Sequence, residues 1–242
     1  MNKFVKKTIS ALNVDSTDPL LAKGFTVDNN KKEDVVLVLG INPAGYEKEA
    51  NYEREHKTYI GYAGGLKIKG QVNNKYHGGI YKLVNDTTNS CKPLWCTKPF
   101  SQAEEVCTNL KQKDLDKLKN FYNSHKDNKY TIYGGDLFYY HTTNFKEFES
   151  KIKFKDSKDL HNYAIDMLKM HIDELKSHNK SIKYIYINNA HASNLIQDNV
   201  VKSYEYIEGI PVFFGGMLSG VHAMDKSSII RLKNEIKNVV KF

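Results

Sequence analysis

The chain has 242 residues, 40% of them hydrophobic, and a formal net charge of +8. That length suits a single α/β domain, the apolar content excludes wholesale disorder, and the charge favours a polyanionic partner such as nucleic acid. Lysine kept for solubility is the plainer reading of the charge, but 16 Tyr and 11 Phe add candidates for base stacking.

In chain order, Phe4, Val5, Ile9 and Leu12 mark an amphipathic helix that Asp15 to Pro19 ends. Met1 to Lys7 is basic, but no apolar run of about 7–15 residues follows, so no secretory signal is expected. Nor does any stretch approach the roughly 20 apolar residues of a membrane span, and the expected location is cytoplasmic. Val35–Leu39 is an unbroken apolar run, as in strands buried on both faces of a parallel sheet. It leads into Gly40-Ile41-Asn42-Pro43-Ala44-Gly45, a turn in which an amide side chain stands where open α/β sheets bind ligands. From 45 to 100 the sequence is polar and rich in Tyr and Gly. Only Gly79–Leu83 and its flanks look helical there, and so long a connection is expected to be a functional insertion.

Residues 101–126 read as a helix opened by Ser101 with Glu104 three residues on, a capping box. Tyr130–Tyr140 is a second strand, in which Gly134-Gly135 suggests a bulge or break. Leu160, Ala164, Leu168, His171/Ile172 and Leu175 follow helical spacing, so 158–177 is a crossover helix. Strand three is Ile182–Ile187, followed by Asn188-Asn189 and a short helix, Ala192–Gln197. Strand four, Ile210–Phe214, runs into Gly215-Gly216-Met217-Leu218-Ser219-Gly220. A last helix starts near Asp225 or Ser227. The alternation implies an α/β three-layer sandwich, with a mostly parallel four-stranded sheet flanked by helices, as one domain over 1–242. The exits at Asn42, Asn188/Asn189 and Gly215-Gly216 are expected to converge on one rim.

A strand ending in Gly40-Ile41-Asn42-Pro43, followed by Gly45, resembles the first motif of the uracil-DNA glycosylase superfamily, closest to its mismatch-specific branch. Val212–Gly220 looks like the second motif of that superfamily, and Asn189-Ala190-His191-Ala192 takes the place of its strand-then-small-residue turn. The motifs bracket about 200 residues. The resemblance implies a DNA glycosylase that hydrolyses the N-glycosidic bond of a flipped, damaged or modified base, with uracil the first candidate. Asn42 would hold the attacking water, because an amide cannot take up a proton at neutral pH but can position water by hydrogen bonds. Gly40, Ile41, Pro43, Ala44, Tyr46, His141 and Asn144 would line the base site. Gly216, Met217, Leu218, Ser219 and Gly220 would bind DNA, with Leu218 as the apolar wedge.

Many relatives carry His-Pro-Ser in the second motif. This chain has no histidine there, and His222 is the candidate substitute. The plainer readings are a turn former for Asn42, a core residue for Leu218 and a capping residue for His222. Cys91, Cys96 and Cys107 form no even-numbered disulfide framework. Zinc completed by His77 or His125 is the metal reading, reduced thiols are preferred, and no metal or cofactor is expected. The expected partner is DNA, bound by a monomer away from any membrane. The alternative function is a catalytically altered member that binds nucleic acid or a protein without base excision. A third is an enzyme of free nucleosides or nucleotides. Gly40–Gly45 has neither the Lys-Ser/Thr ending of a P-loop nor the Gly-x-Gly-x-x-Gly of a dinucleotide fold.

Overall fold

The computed structural model describes residues 1–27, 30–42, 75–92, 116, 120, 123–125, 127–142, 145–198, 200–218 and 223–242. In chain order its elements are α1 (Lys3–Ala11), β1 (Glu33–Gly40), α2 (Lys75–Thr88), β2 (Tyr130–Asp136), α3 (Phe145–Lys151), α4 (Ser157–Ser177), β3 (Lys180–Asn188), α5 (Ala190–Gln197), β4 (Tyr204–Ile207), β5 (Ile210–Gly215) and α6 (Lys226–Val239). The strands form one sheet in the order β2-β1-β3-β5-β4, parallel except for the antiparallel edge strand β4. The architecture is therefore α/β with a mostly parallel sheet between helices.

Five strands stand where the sequence suggests four. The addition, β4, is short and half exposed, so it lacks the apolar run that marks the other strands. Its signal is the turn that joins it to β5: Glu208 and Gly209 both have positive φ, 51° and 77°. Two such central residues suit the tight hairpin turns that match strand twist. No helix among the described residues is long and apolar enough to cross a membrane.

Residues alternate between the two faces of β1, and each face meets its own helices. Val35, Leu37 and Leu39 share one core with Ile185, Ile187 and residues of α1, α4 and α5. Val36 and Val38 share the other with Tyr184, Tyr186, Phe213 and residues of α2 and α6. Val35 to Leu39 are all at most 3% exposed, as expected of a strand covered on both sides. The helix α2 lies inside the stretch read as an insertion, and Ile80, Leu83 and Val84 make it part of the second core. That part of the connection is a structural layer.

The helix expected over 101–126 lies outside the described residues except for positions 116, 120 and 123–125, which are helical. Caps fix the other helices near their expected ends. The side chains of Asp156, Asn189 and Asp225 accept from the backbone N–H groups of Lys158, of His191 and Ala192, and of Ser228. Its hydrogen bonds to the Ser227 and Ser228 hydroxyls and the Ser228 amide hold the Asp225 carboxyl well below its ordinary pKa.

The bulge expected at Gly134-Gly135 is absent. β2 pairs with β1 without interruption from Asp34↔Tyr130 to Gly40↔Asp136. Gly135 is there for close approach: a Cβ on it would lie 2.7 Å from His171 Nε2 and 2.9 Å from the Tyr139 hydroxyl. The irregularity sits in β3 instead. Val35 pairs with Ile182 and Val36 with Tyr184, so Lys183 is the extra residue.

The N-terminal end of the sheet is held by charge. Lys180, its side chain fully buried, places Nζ 3.0 Å from Glu33 Oε2 and donates to the Lys31 carbonyl oxygen at 2.7 Å. Lys92 meets the other Glu33 oxygen at 3.2 Å. Burial pushes the Glu33 carboxyl up, but Lys180 and Lys92 outweigh it and leave its pKa lowered. Glu33→Gln is expected to destabilise the fold by about 2–3 kcal/mol. A buried pair broken on one side typically costs about 3–5 kcal/mol, and here Lys180 keeps the Lys31 carbonyl. Urea unfolding at pH 7 checks this, and an unchanged midpoint would contradict it.

Candidate functional site

In the order β2-β1-β3-β5, connections leave β1 and β3 towards opposite edges. That reversal opens a crevice between the carboxyl ends of the two strands, where open α/β sheets bind ligands. The end of β1 delivers Gly40, Ile41 and Asn42 to this crevice, and the end of β3 delivers Asn188 and Asn189. The exit of β5 joins the same rim. The Asn188 side-chain oxygen accepts from the Leu218 N–H at 3.1 Å. The Ser193 hydroxyl on α5 donates to the Gly215 carbonyl oxygen at 2.9 Å. The three exits converge as their small and amide residues suggest.

Asn42 is half-buried and fixed in orientation. Its Nδ2 donates to the Tyr140 carbonyl oxygen at 3.1 Å and to the Thr142 hydroxyl at 2.8 Å. The amide therefore turns Oδ1, an acceptor, away from those two partners. The backbone beneath is clamped as well, because Leu137 N–H donates to the Gly40 carbonyl oxygen and Phe138 N–H to that of Ile41. Tyr140 is itself anchored: its hydroxyl donates to Asp18 Oδ2 at 3.3 Å. Burial, then the Asp18 charge, pushes that phenol up to about 12, so it stays protonated.

Behind the rim runs a buried chain of hydrogen bonds. His171 on α4 uses Nδ1 towards the Met167 carbonyl oxygen at 2.7 Å, which makes Nδ1 the donor and Nε2 the acceptor. The Tyr139 hydroxyl then donates to Nε2 at 2.7 Å and accepts from the Asp136 N–H at 3.3 Å. The end of β2 is thus tied to α4 through two rings that pack against Phe4. Burial pushes the His171 pKa down from 6.5 to about 3, and the Lys3 charge adds to this against the Met167 hydrogen bond.

The consequence for stability follows from proton uptake. Below pH about 6.5 the unfolded chain binds a proton that the native His171 excludes until about pH 3. Native stability therefore falls as pH drops through that window, by about 1.4 kcal/mol per pH unit. Between pH 7 and 5 this group is expected to remove about 2 kcal/mol. His171→Gln, which does not titrate, should flatten the slope. Urea unfolding at both pH values reads the difference, and equal slopes in the two proteins would refute it.

The remaining site residues fall into two sets. Gly40, Ile41 and His141 are buried, the last 2% exposed with its backbone N–H on the Leu20 carbonyl oxygen. Gly216 accepts the Tyr186 hydroxyl on its carbonyl oxygen at 2.6 Å, and Met217 accepts from the Met224 N–H. Leu218, expected as a wedge, is 9% exposed in the second core. It packs on α2 at Gly79, where a Cβ would come within 3.2 Å of the Leu218 side chain and carbonyl oxygen. In this conformation it is a core residue. Pro43, Ala44, Tyr46, Asn144, Ser219, Gly220 and His222 lie outside the described residues, as do Cys96 and Cys107, while His77 belongs to α2. Cys91 is buried, and its thiol donates to the Lys92 carbonyl oxygen at 3.1 Å. No group of three or more potential metal ligands occurs among the described residues.

One rim residue, Asp136, escapes sequence reasoning, and Asn188 is placed on the rim by the sequence without a role of its own. Asp136 ends β2 opposite Gly40, and both it and Asn188 are buried, 7% and 2% exposed. Asp136 hides because the strand was expected to continue to Tyr140, which places the strand end four residues late. Its signal is Gly134-Gly135-Asp136, a small-residue stretch ending in a carboxylate. Compared with models of known protein families and with curated proteins, the sequence matches none.

Proposed function

We propose that the chain is an N-glycosyl hydrolase of the uracil-DNA glycosylase type, acting on a base flipped out of DNA. The observation that supports this most is Asn42: a half-buried amide, held by two hydrogen bonds at the switch point of the sheet, within Gly-Ile-Asn-Pro. In the reaction, the N-glycosidic bond breaks with its electron pair moving to the base. Water held by Asn42 Oδ1 adds to C1′ and releases its proton to solvent. An amide suffices because the departing base supplies most of the driving force, so positioning is the larger contribution. The net charge of +8 suits binding to phosphates, which dominates affinity for DNA.

The test is incubation of purified protein with labelled oligonucleotides, single-stranded and mismatched, followed by alkali. Uracil, hypoxanthine and modified cytosines are the first bases to examine. Strand breaks at one of them support the reading, and none at any of them would sink it.

The burial of Leu218 under Gly79 favours a second reading, a member that binds nucleic acid without excising a base. A wedge would have to leave a packed core before entering a duplex. Salt-dependent DNA affinity with no strand breaks at any tested base would select this reading over the first.

A further inference from the structure

We infer that Asp136 and Asn188 together read the edge of an amino-bearing base (adenine, cytosine or guanine type) in preference to uracil. This rests on the reading that the rim receives a nucleobase. The two residues stand in one row across the carboxyl end of the sheet. Asp136 pairs with Gly40, Leu39 pairs with Ile187 one step before Asn188, and Asn188 pairs with Gly215. Strand alternation places all four on the face of Val36, Val38, Tyr184 and Tyr186. Among the described residues, the strand position between the acid and the amide is Gly40, which has no side chain.

The surroundings of that glycine show where room remains. A Cβ on Gly40 would collide with the Asp136 carboxylate, which leans over β1. Apart from that carboxyl group, the nearest atom to the same point among the described residues, chain neighbours aside, is the Gly135 carbonyl oxygen, 4.0 Å away. At Gly215, on the other side of Asn188, the Tyr186 hydroxyl at 2.7 Å and Met224 Sδ at 3.2 Å already fill the space. Among the described residues, the Gly215 side of Asn188 is thus filled and the Gly40 side is left to Asp136.

Asn188 carries the decisive anomaly. Its Oδ1 accepts from Leu218 N–H, but its Nδ2 is buried with no hydrogen-bond partner. Buried donors are almost always satisfied, and one that is not calls for a missing acceptor. Because the two arms of an amide diverge, Nδ2 turns away from the Leu218 contact. A carboxylate only accepts and an amide nitrogen only donates. The complementary edge presents an N–H group beside an acceptor.

Amino-bearing bases offer that edge best. The amino group of adenine or cytosine lies next to a ring nitrogen acceptor. Guanine offers two adjacent N–H groups to a carboxylate, with its carbonyl oxygen alongside. Uracil has one N–H flanked by two carbonyl oxygens, so a carboxylate accepting from it is brought against a second oxygen. Reading a flipped base by its Watson–Crick edge is what base-flipping enzymes require.

The test uses mismatched duplexes carrying a 2′-fluoro nucleotide, which resists hydrolysis, with adenine, cytosine, guanine or uracil as its base. The wild-type protein is expected to bind at least one amino-bearing duplex about 10-fold or more tighter than the uracil duplex. Asn188→Asp keeps an oxygen for Leu218 N–H and exchanges only the other arm, and should lose about 10-fold or more on that duplex. Asp136→Asn, able to donate, should gain uracil binding relative to the wild type. Thermal midpoints of both variants monitor folding, and each variant tests one half of the pair. Tighter uracil binding by the wild type, or base preferences unchanged in both folded variants, would overturn the inference. Excision that ignores positions 136 and 188 overturns it while leaving the hydrolase reading intact. Absence of excision with the binding preference present does the reverse. If no duplex is bound, calorimetry with adenosine, cytidine, guanosine and uridine decides, and no binding of any nucleoside overturns the inference.

Discussion

Asn42→Ala is expected to lower base excision by a factor of at least about 10² while leaving DNA affinity nearly unchanged. Removal of one preorganised hydrogen-bonding group at a reacting centre typically costs about 10²–10³ in rate. Asn42 is such a group, because its Nδ2 contacts to Tyr140 and Thr142 fix where Oδ1 points before substrate arrives. The alanine variant loses both anchor and water-holding oxygen. Asn42→Asp separates the two roles. A carboxylate is the better base, but it has no N–H for the Tyr140 carbonyl oxygen and would be repelled by it. The aspartate variant is therefore expected to stay well below wild type. Single-turnover excision rates alongside equilibrium DNA binding check both. Full activity of Asn42→Ala would remove the amide from the mechanism. Loss of DNA binding in step with activity would make it a structural residue.

The largest expected effect on stability is at Gly135. Its missing Cβ is the space in which His171 Nε2 and the Tyr139 hydroxyl meet, 2.7 Å from each other. Both rings are fully buried. Gly135→Ala is expected to cost about 2–6 kcal/mol. About 1–3 comes from overpacking and about 1–3 from the disrupted buried hydrogen bond. Denaturant unfolding reads the value, and a cost below about 1 kcal/mol would show that α4 can slide away. Gly209→Ala is the natural control. It keeps a strained positive φ but has nothing within 4 Å, so a much smaller loss is expected there.

Much of this architecture was legible because period and length agree with it. Val35–Leu39 reads as a fully buried strand since both faces demand apolar residues. Leu168, Ile172 and Leu175 repeat at helical spacing because one stripe of α4 faces the first core. Less legible was anything decided by a contact distant in sequence. Gly135 looks like a strand irregularity until His171 is seen filling its place. Leu218 looks equally suited to a wedge or a core, and its burial depends on Gly79 in a helix far away in the chain. At the site, Asn42 is visible because Asn-Pro after a buried strand is a local pattern. Asp136 and Asn188 become neighbours of one gap only through the registers of three strands. No local pattern encodes that meeting.

The hairpin of β4 and β5 bears on the order in which the sheet assembles. Tyr204–Ile207 and Ile210–Gly215 are joined by two residues, so their pairing closes a very small loop. Hairpins of this kind form in roughly 1–10 microseconds. By contrast, β1 meets β2 only after the whole stretch between positions 34 and 130 has been closed. Such distant pairing is slow, because closure entropy is lost before the contacts form. The pairing of β1 with β3 spans more chain still, from position 34 to 181, so the C-terminal hairpin is expected to form early and the β1–β3 seam last. Since Asp136 and Asn188 lie on opposite sides of that seam, the rim is expected to be complete only when it closes.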